Sequence, residues 1–186
     1  MHKSYRICAI RAHILAPISL EVPYLSVISV LMYLANCIRP NIAFSVNLLA
    51  RYSFAPTRKH WNSIKHILCY LHETIDMCLF YLRESKQQLL GYTDAGYLLD
   101  SHKGRSQTRY VFNCNGTAIS WRSVKQTMVV TLSNHSEILT IHEANSECVW
   151  LRSMIQHIQE TCGLPSIRGN ATVSHEDNAA CIAQIK

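Results

Sequence analysis

Asn115-Gly116, set between Arg109-Tyr110-Val111-Phe112 and Ala118-Ile119-Ser120-Trp121, constrains this chain more than any other short stretch. A two-residue hairpin loop needs positive φ at both central positions, which asparagine and glycine supply at least cost. The flanking runs are rich in β-branched and aromatic residues, so the pattern predicts an antiparallel strand pair and excludes an all-helical fold. Further strands are expected over residues 77–82, 89–94 and 171–174. Residues 136–159 read as a long helix with its core face at Ile138, Ile141, Val149, Leu151, Ile155 and Ile158, stopped by Gly163-Leu164-Pro165. A last helix begins at Asn178. Strands in succession, then a helix, a strand and a helix, indicate an α/β (α+β) domain in which helices cover a mixed sheet.

The chain upstream of residue 77 has a different texture. Residues 23–34 are apolar on every side, which predicts a helix packed all round. Pro40 suits the first turn of a second helix over 41–52. Thr57 is expected to cap a third, whose stripe is Trp61, Ile64, Leu68, Leu71 and Ile75. Its other face carries Arg58, Lys59, Lys65 and His66, which serve either as an ordinary solvated face or as a surface that tracks phosphates. The uncharged run 22–37 has 16 residues, short of the roughly 18 or more of a spanning helix, so no membrane segment is expected. Residues 1–21 show no usable period and are a poor match to a secretory signal. An intracellular protein is expected.

Bulk composition narrows the chemistry. Hydrophobic residues make up 48% and charged residues 16%, as in a chain that buries a core. The formal charge of +6 is compatible with a nucleic-acid partner. Eight cysteines include no C-x-x-C pair, so they read as reduced thiols without zinc-type spacing.

Three acidic residues sit where the expected elements end or begin. Asp94 ends the strand over 89–94, Glu137 opens the long helix, and Asp177 lies between the last strand and the last helix. Strand ends and helix starts at one edge of a sheet converge on a common crevice. Carboxylates gathered there repel one another unless cations neutralise them, and hard divalent ions such as Mg²⁺ prefer that setting. A pair of such ions activates water against a phosphodiester. Each residue also has a plain structural role open to it. Asp94 reads as a turn residue, Glu137 as the capping-box partner of Asn134, and Asp177-Asn178 as an N-cap.

Several motifs, taken in order, resemble one family. Val22-Pro23-Tyr24-Leu25-Ser26, Leu31-Met32-Tyr33-Leu34-Ala35-Asn36 and the run Arg39-Pro40-Asn41-Ile42-Ala43-Phe44-Ser45-Val46-Asn47 are similar to the stretch after the reverse transcriptase core of copia-type retrotransposon Pol polyproteins. Gly91-Tyr92-Thr93-Asp94-Ala95-Gly96, Ser133-Asn134-His135-Ser136-Glu137 and Glu176-Asp177-Asn178-Ala179-Ala180 resemble that family's three ribonuclease H motifs, especially in plant elements. The resemblance implies an unassigned segment 1–21, a small helical thumb or connection remnant over 22–84, and a ribonuclease H-like domain over 85–186. It implies that Asp94, Glu137 and Asp177 bind Mg²⁺, or Mn²⁺, and cleave the RNA strand of an RNA–DNA hybrid. The family pattern runs on past Lys186 with a further strand, a helix and a fourth site residue, so the domain is expected to be incomplete, poorly stable and weak or inactive. The polymerase palm is not part of this sequence, and no reverse transcription is expected. Two departures stand out. Asn41 replaces the usual aspartate, and Arg109 replaces the usual glycine of the second strand; with Arg58, Lys59 and Lys65, Arg109 is a candidate contact to nucleic acid. A different class of reading, a non-enzymatic nucleic-acid-binding or effector-like protein reusing the fold, stays open, although no Arg-x-Leu-Arg motif is present.

Overall fold

The computed structural model describes residues 23–81, 88–99, 104–163 and 171–185. Residues 1–21, Leu82 and Leu164-Pro165, on which parts of the sequence reading fall, lie outside the described residues. The chain forms two compact units, one ending at Cys78 and one beginning at Leu79. No helix among the described residues is long and apolar enough to cross a membrane.

The first unit contains helix α1 (Tyr24–Cys37), a 3₁₀ turn (Pro40–Ile42), α2 (Ala43–Ala50) and α3 (Arg58–Glu73). Its core joins Ile28, Leu31 and Leu34 of α1 to Val46 and Leu49 of α2 and Ile64, Ile67 and Leu71 of α3. Tyr24 ties the unit together, its hydroxyl donating to Leu49 O at 2.9 Å and its ring meeting Trp61 edge-on. The expectation that α1 is packed on all sides is corrected: Leu25, Val30 and Tyr33 are exposed. With α2 and α3 as its partners, α1 buries one stripe. The single helix expected over 41–52 is a tight turn at Pro40 followed by the shorter α2, whose end closes with three-residue bonds from Tyr52 and Ser53. Thr57 begins α3 as expected, with its backbone N–H donating to His60 Nδ1 at 3.0 Å. Ile75, expected in the stripe of α3, lies beyond its end and is exposed, and Ile67 takes the buried position.

The second unit is mixed α/β. Strands β1 (Leu89–Gly96), β2 (Gln107–Cys114), β3 (Thr117–Lys125) and β4 (Val173–His175) lie in the order β3-β2-β1-β4. The first three pair antiparallel, and β4 runs parallel to β1. The hairpin forms at the expected place, with φ of 52° at Asn115 and 80° at Gly116. Residues 77–81 form no strand; they lean on β3 through side chains, as Thr117 donates to Phe80 O and Tyr81 donates to Ala118 O. Without ladder bonds such a stretch has no register to hold. At Gly91 a Cβ would stand 2.8 Å from Phe112 Cε1, so glycine there lets the ring lie across β1.

Helix α4 (Ser133–Cys162) crosses one face of this sheet, and α5 (Ala179–Ile185) follows β4. The apolar core is Leu89, Tyr110, Phe112, Ala144 and Leu151. Of the predicted core face of α4, Leu151 is buried and Ile138, Ile141 and Ile155 are half-buried, but Val149 and Ile158 are exposed. The face that meets the sheet instead begins Ser136, Thr140, Ala144, which hydropathy cannot single out. Those small polar residues meet Gln126, 2% exposed, whose Nε2 donates to Ser136 O at 2.9 Å and Thr140 Oγ1 at 3.2 Å. The backbone N–H of Gln126 donates to Ser106 O at 2.9 Å. Hydrogen bonds between buried polar groups fix position more sharply than apolar contact does, and here they run through Nε2, since the buried Gln126 Oε1 has no hydrogen-bond partner among the described residues. They set the start of α4 against the sheet.

Candidate functional site

Asp94 lies inside β1, since the ladder with β2 continues through Ala95 to Gly96. That corrects both the predicted strand end and the turn reading. The strand buries Gly91, Thr93 and Ala95 and exposes Tyr92 and Asp94, so Asp94 stands on the face away from α4. Its partner across the ladder is Arg109, and Arg109 Nη2 reaches Asp94 Oδ2 at 2.6 Å. The side chains are 33% exposed for Arg109 and 53% for Asp94.

Glu137 comes from the other direction. It sits one turn into α4, whose N-cap is Leu132, and Asn134 is inside the helix, donating to Gln184 Oε1 at 3.2 Å. The capping-box reading therefore falls away. Glu137 Oε2 instead accepts the backbone N–H of Ala95 at 2.7 Å, next to Asp94 in the strand. With 6% exposure, its carboxyl is raised to about 7. Burial is the largest cause, followed by the negative charge of Glu176, and the Ala95 bond opposes them. Asp94 and Asp177 push in the same direction as Glu176.

Asp177 lies exposed between β4 and α5. The cap of α5 is its neighbour Asn178, whose Oδ1 accepts the Cys181 N–H at 3.0 Å, which frees Asp177 from that role. The sequence reading overlooked Glu176. Thr93 Oγ1 donates to Glu176 Oε2 at 2.8 Å, and Glu176 Oε1 accepts the Asn178 N–H at 3.2 Å. One signal was available. His175 stacks on Tyr92 on the open face, with ring centroids 5.0 Å apart, so alternation turns the next residue toward Thr93 and α4. Cys181, fully buried beside this corner, has its thiol pushed up by burial and by Glu176 and Glu137. Asp94, Glu176 and Asp177 thus all act on Glu137 at one corner of the sheet.

Over 131 residues the chain is 38% identical to "Secreted RxLR effector protein 161" of Plasmopara viticola, covering 70% of this chain and 92% of that protein. It is 37% identical over 138 residues to "Retrovirus-related Pol polyprotein from transposon TNT 1-94" of Nicotiana tabacum, and 33% identical over 135 residues to that from transposon RE2 of Arabidopsis thaliana. These matches take in 74% and 73% of this chain. The chain belongs to the copia-type retrotransposon Pol family. It spans 10% and 9% of the length of those two polyproteins. No family model and no solved structure matches it.

A divalent ion is the group that this Pol ancestry implies at the acidic corner. The donor set suits one in kind, being all carboxylate. The arrangement does not: among the described residues no three acidic, imidazole or thiol groups are gathered to hold a metal ion, and Asp94 is already paired with Arg109. As for nucleic acid, Arg58, Lys59 and Lys65 are exposed on α3, whereas Arg109 is engaged by Asp94.

Proposed function

We propose that residues 85–186 of this Pol-derived chain are an incomplete ribonuclease H-like domain, and that residues 22–84 are a remnant of the reverse transcriptase thumb or connection. The ancestral activity is hydrolysis of the RNA strand of RNA–DNA hybrids with Mg²⁺ or Mn²⁺ as cofactor, weak or lost in this chain. One observation carries the reading: the buried Glu137 carboxylate, delivered by α4, bonds the backbone N–H beside Asp94, with Glu176 and Asp177 near enough to perturb it. Residues far apart in sequence have no structural need to crowd like charges, and such crowding with a strongly perturbed carboxyl is a mark of a functional site. Hybrid contact would rest on backbone and 2′-hydroxyl groups more than on bases, with Arg58, Lys59 and Lys65 as candidate phosphate partners.

A second reading is favoured by the alignment over 92% of the Plasmopara viticola effector protein: a non-enzymatic, effector-like protein that reuses the fold. One assay separates the two. The purified chain, with Mg²⁺ and a labelled hybrid, is compared with Asp94→Asn. Slow cleavage abolished by that change is the expected result. Binding without cleavage in both proteins supports the effector-like reading, and cleavage that survives Asp94→Asn removes the acidic corner from the mechanism.

A further inference from the structure

Asp94, at the acidic corner, already has a cationic partner. We infer that Arg109 is a built-in counter-cation that holds Asp94 and weakens the binding of divalent ions at this corner; the inference rests on the nuclease reading above. Asp94 and Arg109 are directly opposed on hydrogen-bonded strands, so the sheet itself delivers one side chain to the other. Their contact of 2.6 Å occupies one of the two oxygens that Asp94 could offer an ion. Arg109 is about two-thirds covered, which screens the pair less than it would a surface pair. An ion entering here must displace the guanidinium and also tolerate its charge.

The test measures Mn²⁺ binding to the full chain by calorimetry, together with the rise in melting temperature that the ion produces. Arg109→Thr and Arg109→Gln both suit a strand, so failure of one to fold leaves the other. An opposite charge at this range alters an ionic equilibrium by at least about tenfold, and both variants are expected to bind Mn²⁺ tighter by that factor. Adding Asp94→Asn to either is expected to abolish the gain. Arg122→Gln removes the same charge from β3 and is expected to leave affinity unchanged. Equal binding by the wild type and the Arg109 variants, with binding still lost in Asp94→Asn, overturns the role of Arg109 and spares the nuclease reading. A gain that persists without Asp94, or that Arg122→Gln reproduces, overturns the role as well. Absence of Mn²⁺ binding in every variant that retains its circular dichroism takes down the inference and the metal-dependent nuclease reading together.

Discussion

Glu137 is buried among like charges. Its carboxyl is raised from 4.5 to about 7, so the folded state binds its proton more tightly than the unfolded state does. Stability from that proton is fully present below pH 4.5 and is lost as pH rises through 7. At about 1.4 kcal/mol for each tenfold change in proton affinity, the loss amounts to about 3 kcal/mol. Glu137→Gln keeps an oxygen for the Ala95 N–H and removes the titration. Chemical denaturation from pH 4.5 to 8 is therefore expected to show the wild type weakening and the variant holding steady; parallel curves would refute this. Asp94, Glu137 and Asp177 stand out in the sequence because each is expected at an element boundary, although Asp94 lies inside β1 and Glu137 one turn into α4. The Asp94–Arg109 pair could not, because residue-by-residue register across two strands is a property of the folded ladder.

At the scale of elements, the hairpin was legible because Asn115-Gly116 leaves its backbone few alternatives. The strand expected over 77–82 was not, since an apolar run resembles a strand whether or not a neighbour offers a ladder. Helix α4 was legible in existence and misjudged in orientation. Its sheet-facing side starts with Ser136 and Thr140, which make sense only opposite Gln126. Removing Gln126 leaves the Thr140 hydroxyl and a helix carbonyl with fewer partners in a buried place, a loss of about 1–3 kcal/mol. Gln126→Ala is expected to lower stability by that amount and to raise amide exchange in the first turns of α4 relative to its apolar half. An unaltered exchange pattern would show that the apolar contacts alone seat the helix.

On the scale of the whole molecule, the family assignment rests on matches that take in about three-quarters of the chain, whereas the apolar surface reflects what the sheet and α4 leave uncovered. Trp150, Met154 and Ile158 are exposed at four-residue spacing along α4, and Tyr92 and Val173 are exposed on the sheet. Exposed apolar side chains of this kind favour association. Light scattering is expected to show particle mass rising with concentration, and the paired change Trp150→Glu with Met154→Glu is expected to suppress that rise; a monomer at all concentrations would contradict it. The two strands that meet β1 hold it unequally. Strand β2 runs beside it from Leu89 to Gly96, but β4 pairs over three positions, Leu90 to Tyr92, and Glu176 and Asp177 follow directly. Both acids thus hang from the shortest seam in the sheet, and the buried charge they press on, Glu137, is anchored to β1 on its other side.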